Sequence, residues 1–196
     1  MGFFEGIRLG FALLRSKLHF PAARLVRFPI YIRGRKYIDF GHALTTGVGC
    51  RIEAFRLSRE EAPRLTFGNK VQLNDYVHIC ALRSIEIGDD VLMASHVYIS
   101  DNSHGEYKGC DSDSSPEEPP IERSYLTAPV KIGARVWIGE GVMILPGVEI
   151  GAGAVIGAHS VVNRDVPADC IAVGVPARVI KKYNRSSKRW ERVSRD

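Results

Sequence analysis

The stretch VWIGEGVMILPGVEIGAGAVIGAHSVV (residues 136–162) carries an aliphatic residue at every sixth position. The repeating residues are Ile138, Ile144, Ile150, Ile156 and Val162. A period of six fits neither an α-helix nor an uninterrupted alternating strand. It predicts a solenoid in which each hexapeptide forms one short flat side and three sides complete a coil.

The same spacing recurs upstream of this stretch. It includes Ile132 and runs through Phe67, Leu73 and Ile79, then Ile87, Met93 and Ile99, with a weaker copy at Phe40, Thr46 and Ile52. One coil cannot bury its own aliphatic face, so several coils must stack. The glycines and aspartates of Gly88-Asp89-Asp90 and Gly151-Ala152-Gly153 suit corner positions. We therefore predict an all-β parallel solenoid over residues 36–180.

One long interruption divides the repeat. Between Ile99 and Ile132 the spacing is lost, and residues 103–129 contain glycines, prolines and several serines. Irregular segments of this length are uncommon in compact domains unless they are functional. We predict an excursion loop that leaves the coil and returns to it.

The two ends of the chain differ from its middle. Residues 1–35 are predicted to form a helical N-terminal cap, because Ile7, Phe11 and Leu14 recur at near-helical spacing and solenoid ends need caps. The alternative for residues 1–28 is a basic amphipathic segment in contact with an anionic membrane surface. Residues 181–196 are strongly basic and are predicted to be a short C-terminal helix or tail.

Composition limits the class of protein. The 196 residues are 45% hydrophobic with a net charge of +5, which allows one sizeable domain and excludes a wholly disordered chain. No nucleic-acid partner is expected, because much of the excess of basic over acidic residues lies after residue 177. The four cysteines form no CxxC pair, which argues against a zinc ribbon and favours reduced thiols of a cytoplasmic protein. No apolar run reaches the ~18 residues that a membrane span needs.

Residues 136–183, together with Val71–Ile79 and Ile99–Gly105, resemble the bacterial hexapeptide O-acetyltransferases. That group contains galactoside, maltose and serine acetyltransferases, and the match looks nearest to enzymes that acetylate O-antigen, capsular or exopolysaccharide sugars. The resemblance covers about residues 36–183. It implies a left-handed parallel β-helix, acetyl-CoA as donor, a sugar or glycan hydroxyl as acceptor, and a homotrimer with active sites between subunits.

Two residues are candidates for the chemistry. Transfer to a hydroxyl needs a base, and imidazole suits this task because its pKa lies near neutrality. His104 stands where the repeat stops, and it resembles the family's catalytic histidine in position and local sequence. Asn74 matches a family asparagine near the reacting centre, which could orient the hydroxyl or donate to a developing oxyanion. The alternative for Asn74 is a structural corner residue.

The resemblance also implies a set of residues that bind coenzyme A. They are Trp137, Gly139, Ala158, Asn163, Arg164, Arg178 and Lys181. Arg178 and Lys181 resemble the basic pair near the nucleotide end, where a guanidinium or ammonium group can hold phosphate. The acidic residue that binds the acceptor in the galactoside enzymes would fall near Leu82 and is absent here, which implies a different acceptor.

Other functions remain open at this stage. A zinc site would need two histidines close together and a distant third. The set His78, His96 and His104 lacks the close pair, so no metal is expected. Within enzymes, the alternative is acetyl transfer to a small acceptor such as an antibiotic or an amino-sugar nucleotide. The alternative outside enzymes is a non-catalytic β-helix scaffold.

Overall fold

The computed structural model describes residues 3–56 and 62–193. Within these ranges the chain forms one α-helix, α1 (Phe3–His19), a short 3-10 helix (Arg35–Tyr37) and many short strands. The strands are β1 (Leu25–Val26), β2 (Ile30–Arg33), β3 (Ile38–Asp39), β4 (Thr45–Thr46), β5 (Cys50–Ala54), β6 (Arg64–Phe67), β7 (Gln72–Leu73), β8 (His78–Ala81), β9 (Ser84–Ile87), β10 (Leu92–Met93), β11 (Tyr98–Ser100), β12 (Asn102–His104), β13 (Tyr125–Thr127), β14 (Val130–Ile132), β15 (Trp137–Ile138), β16 (Met143–Ile144), β17 (Glu149–Ile150), β18 (Val155–Ile156), β19 (Val161–Val162), β20 (Cys170–Val173), β21 (Arg178–Asn184) and β22 (Arg189–Arg192).

Three sheets form the sides of a triangular prism. Face A contains β1, β4, β7, β10, β15, β18 and β20, face B contains β2, β5, β8, β11, β16 and β19, and face C contains β3, β6, β9, β14 and β17. Neighbouring strands within each face run parallel. The chain passes from A to B to C and then starts the next coil. This is the left-handed parallel β-helix that the resemblance implies, so the predicted fold class is confirmed.

The hexapeptide aliphatics form the core. Leu73, Met93 and Ile138 occupy equivalent positions on successive strands of face A, and each is at most 1% exposed. Successive strands lie about 4.8 Å apart, so each side chain packs on its equivalent in the next coil. Full burial of one such side chain contributes about 1.5–3 kcal/mol. Column packing is therefore the physical origin of the six-residue spacing.

The corners explain the glycines and aspartates of the repeat. Asp90 and Gly153 both have positive φ, as their predicted corner positions require. At Gly151 a Cβ atom would lie 2.3 Å from the backbone nitrogen of Ala168 in the next coil. Close stacking of the coils therefore excludes any side chain at that position.

The β-helix begins earlier than predicted. Strands β1 and β2 pair in register with β4 and β5 and form the first two sides of a coil before residue 36. The predicted boundary at residue 35 is therefore wrong, and the helical part of the cap ends at His19. Val26, Ile32 and Ile38 do keep the six-residue spacing. Aromatic and basic residues between them obscured this coil.

The structure predicted for the C-terminal segment is also wrong. Strands β21 and β22 form an antiparallel hairpin that extends face A beyond β20, rather than a short helix or tail. Tyr183 and Trp190 face each other across the hairpin, with ring centroids 5.3 Å apart. Asn184 closes the turn by accepting two backbone N–H bonds. Such cross-strand aromatic pairs stabilise antiparallel strands. The many basic residues of this segment obscured its strand pattern in the sequence.

Helix α1 lies against the first coil through one side only. The Ser16 hydroxyl is buried, donates to the carbonyl of Ala12 and accepts the N–H of Val26 at 2.7 Å. The opposite side exposes apolar residues, among them Phe11 and Leu14, which are 64% and 69% exposed. In the part of the chain that the structure describes, no helix is long and apolar enough to cross a membrane.

Candidate active site

His104 lies on a small hairpin at the base of the excursion loop. Strand β12 leaves face B after β11 and pairs antiparallel with β13, which leads into face C. His104 is opposite Tyr125, and the two ring centroids are 4.3 Å apart at a 45° tilt. The residue is exposed. The imidazole is thus supported on one side by an aromatic ring and open to a substrate on the other.

Asp101 anchors the point where this hairpin leaves the coil. Its fully buried carboxylate accepts the backbone N–H groups of Leu82, Arg83 and Ser84 at 2.7–2.8 Å. Leaving such donors unpaired would cost about 1–3 kcal/mol each where they are buried. Asp101 therefore fixes the start of β12, three residues before His104. The role of Asp101 was not predicted from the sequence, although its place at the break in the repeat was a usable signal.

The far side of the loop also holds His104 in place. The Tyr107 hydroxyl donates to the backbone carbonyl of His104 at 2.6 Å. Arg123 in turn donates to the Tyr107 hydroxyl at 2.8 Å and to the carbonyl of Glu118 at 2.7 Å. These bonds tie the two halves of the loop to the hairpin of β12 and β13.

Asn74 lies on a different edge of the prism. It follows β7 at the corner between faces A and B, where its N–H donates to the carbonyl of Met93. His104 belongs to the corner between faces B and C, since neighbouring Asn102 donates to the carbonyl of Cys80 near the end of β8. The length of β8, roughly 10 Å, separates the two corners. Within one chain, Asn74 and His104 are therefore not brought together.

Four of the seven predicted coenzyme A residues divide between the same two edges. Gly139 and Ala158 lie on the A/B edge in adjacent coils, and a Cβ atom on Gly139 would lie 2.6 Å from the backbone nitrogen of Ala158. Asn163 and Arg164 follow β19 on the B/C edge, and both are exposed. The two catalytic candidates show the same division. Residues of both kinds therefore lie on two separate edges of one chain.

A strip of outward-facing residues on face A runs from Trp137 to the C-terminal hairpin of β21 and β22. Trp137, Val155, Ile171 and Lys181 are aligned on successive strands. Three strand spacings, about 14 Å, separate Trp137 from Lys181. The Trp137 side chain is 53% exposed. An apolar strip that ends in a cation suits a ligand with a long arm and an anionic end. Arg178, also on β21, is exposed nearby.

The histidines outside the hairpin have other partners. His96 has positive φ at a corner and stacks on Tyr76, with centroids 5.1 Å apart. His78 contacts Glu53. Over residues 3–56 and 62–193, no group of three or more histidine, cysteine or acidic side chains is placed to hold a metal ion.

Comparison with known proteins adds independent information. The family of bacterial transferase hexapeptides (six repeats) matches residues 129–164. WbbJ of Escherichia coli (strain K12), which carries the name of a lipopolysaccharide biosynthesis O-acetyl transferase, is 45% identical over 187 residues, covering 95% of this chain and 93% of WbbJ.

Two solved structures share the architecture. A galactoside acetyltransferase in complex with coenzyme A is 29% identical with a TM-score of 0.56, and the match covers 89% of this chain and 70% of that one. The N-acyltransferase AntD from Bacillus cereus, in complex with dTDP and 3-hydroxybutyryl-CoA, superposes with a TM-score of 0.69 at 22% identity, covering 88% and 90% of the two chains. At that identity the AntD likeness concerns the fold alone.

Proposed function

Because the chain belongs to the bacterial hexapeptide-repeat transferase family, we propose that it transfers the acetyl group of acetyl-CoA to a sugar hydroxyl during surface polysaccharide biosynthesis. The observation that carries this proposal is the 45% identity to WbbJ over almost the full length of both chains. The exposed His104 at the base of the loop supports it, because hydroxyl acceptors need a base.

The proposed mechanism is direct transfer in a ternary complex. His104 accepts the proton of the sugar hydroxyl as the oxygen attacks the thioester carbonyl. Asn74 or a backbone N–H donates to the oxyanion that develops on the carbonyl oxygen. The protonated His104 then returns its proton to the departing sulfur of coenzyme A. Asp101 and Tyr107 hold the hairpin that presents the imidazole.

The active unit is proposed to be a homotrimer with a site at each subunit boundary. The outer surface of face C is charged, with Glu86, Lys131 and Glu149 exposed. Face A instead exposes Leu92 and Trp137, and face B exposes Met143. Apolar outer surfaces favour contact between copies. Together with the division of site residues between two edges, this supports sites shared between neighbouring subunits.

Lys181 provides a test of the donor site. Replacing it with alanine should weaken acetyl-CoA binding about tenfold, because a charged hydrogen bond to phosphate would be lost. Lys182→Ala is the matched control, since Lys182 is exposed on the same strand but pairs with Cys170 rather than with Ile171 of the strip. Titration calorimetry measures both. Equal affinities of the Lys181 and Lys182 variants would contradict this placement.

Thiol release from acetyl-CoA, with and without acceptor, tests the function against its alternatives. We expect release to depend on sugars that carry free hydroxyls. Preference for an amino-sugar nucleotide or an antibiotic would favour the small-acceptor alternative. Absence of any heat of acetyl-CoA binding would favour a non-catalytic scaffold.

We also propose that the protein works in the cytoplasm at the inner face of the membrane, with α1 on anionic lipid. The exposed apolar side of α1 is flanked by Arg8, Arg15 and Lys17, whose charge complements such a surface. Leu14→Gln should reduce co-sedimentation with phosphatidylglycerol vesicles severalfold. Ile121→Gln, at a 78% exposed residue of the loop, is the control and should have no effect. The contact would be refuted if wild type sedimented equally with phosphatidylcholine and phosphatidylglycerol vesicles. It would also be refuted if the Leu14 variant sedimented with phosphatidylglycerol vesicles as strongly as wild type.

A further inference from the structure

Glu53 is a buried carboxylate at an outward-facing position of the prism. Its neighbours in β5, Ile52 and Ala54, are completely buried, and Ile52 packs in the core. Alternation along a strand places Glu53 on the opposite side, on the outer surface of face B. The residue is nevertheless only 5% exposed. Its position is aligned with Arg33 on one neighbouring strand and with Cys80 on the other.

Two side chains cover the Glu53 carboxylate. Arg51 donates from Nε at 2.7 Å and from Nη2 at 3.1 Å, and His78 Nε2 lies 3.1 Å from Oε2. Burial raises the pKa of Glu53, but the hydrogen bonds and charges of Arg51 and His78 outweigh it and lower the pKa below its usual value. Glu53 is therefore ionised at neutral pH, and its charge offsets that of Arg51.

Stability alone does not account for this cluster. The Arg51 side chain is 56% exposed, and an ion pair with an exposed partner contributes little to stability. Arg51 and Glu53 also border an open cavity of about 560 Å³, lined in addition by Ile30, Tyr31, Ile32 and Arg33. Tyr31 is 60% exposed and presents its ring there. The lining carries one carboxylate and two arginines beside the Tyr31 ring. Polar groups of this kind suit sugar hydroxyls, and an aromatic ring suits the apolar face of a sugar.

The cluster lies on the same face as β11, and near the edge at which the hairpin of β12 and β13 leaves that face. Cys80 separates Glu53 from Ser100, so Glu53 is two strand spacings, about 10 Å, from the end of β11. Asn102 at the start of the hairpin contacts Cys80 directly. The Asp101 carboxylate is already engaged by three backbone N–H groups. Glu53 thus organises a second polar group on face B, two strands away from the point where the hairpin leaves the coil.

We propose that Glu53, Arg51 and His78, with the cavity beside them, bind hydroxyl groups of the glycan acceptor. The ligand class is a polyhydroxylated pyranose, with Tyr31 against the apolar face of the ring. Glu53 is a positioning residue, because it fixes the donors of Arg51 and His78 that face the sugar. This inference rests on the proposed sugar O-acetyltransferase function and supplies an acceptor site where the acid near Leu82 is absent.

The test is steady-state kinetics of the full-length protein on methyl glycosides of hexoses and of disaccharides. Glu53→Gln should raise the acceptor KM about tenfold or more, while kcat and the acetyl-CoA Kd stay at wild-type values. Tyr31→Ala, at an exposed position that does not threaten folding, should raise the same KM severalfold. Glu86→Gln is the matched control, since Glu86 is exposed on the outer surface of face C.

The outcomes separate the two proposals. If wild type transfers acetyl to a glycoside and both the Glu53 and the Tyr31 variants keep the wild-type acceptor KM, the subsite is overturned. The proposed function is then unaffected. A second result is that the Glu53 variant fails to assemble while the Tyr31 variant keeps the wild-type acceptor KM. That result identifies the cluster as structural and also overturns the subsite. Absence of transfer by wild type to every glycoside overturns the proposed function itself.

Discussion

Replacing His104 with alanine is expected to lower kcat about 10²–10⁴-fold, with acetyl-CoA affinity and folding unchanged. The side chain is exposed at the base of the loop, so its removal leaves no cavity in the prism. In the proposed mechanism, the substitution removes the base that accepts the hydroxyl proton. The measurements are turnover by thiol release and acetyl-CoA binding by calorimetry.

His42→Ala is the control for this substitution. His42 is likewise exposed, but it lies at a corner near the first coils and away from the hairpin. Its turnover should match that of wild type. A wild-type kcat in the His104 variant would refute the assignment of the base, and loss of acetyl-CoA binding would point to a role in the donor site instead.

Asn74→Ala should lower kcat about 10²–10³-fold, the usual effect of removing one oxyanion donor. The backbone N–H of residue 74 donates to the carbonyl of Met93 and does not depend on the side chain, so the corner itself should persist. A variant with wild-type kcat would show that Asn74 is only a corner residue of the solenoid.

Mixing the two inactive variants tests whether the site is shared. In a trimer each site would take His104 from one subunit and Asn74 from its neighbour, because the two residues lie on opposite edges of face B. Random co-assembly of His104→Ala and Asn74→Ala subunits then leaves about one site in four intact. Co-expressed, differently tagged subunits should therefore regain about a quarter of wild-type activity. Mixtures as inactive as either parent would contradict a site built from these two edges.

The sequence was most informative where structure depends on local repetition. Inward positions such as Leu73 and Ile138 could be predicted because each hexapeptide packs on its equivalent in the next coil. Corner glycines were predictable for the same reason, since Gly151 has no room for a side chain. The exit point of the excursion loop followed directly from the break after Ile99.

Features that depend on contacts between distant residues were not predictable from the spacing. Asp101 secures the hairpin through N–H groups almost twenty positions away, which no periodicity reveals. The hairpin of β21 and β22 depends on Tyr183 against Trp190 and on pairing with β20. The burial of Glu53 became visible only when Arg51 and His78 were placed around it.

The central claim is tested most directly by identifying the product. Wild-type protein is incubated with acetyl-CoA and a panel of methyl glycosides plus one amino-sugar nucleotide, and the products are examined by mass spectrometry before and after mild alkali. We predict a glycoside that gains the mass of one acetyl group and loses it in alkali, as an ester does. Acetylation found solely on the amino sugar and stable to alkali, or no acetylated product at all, would contradict an O-acetyltransferase.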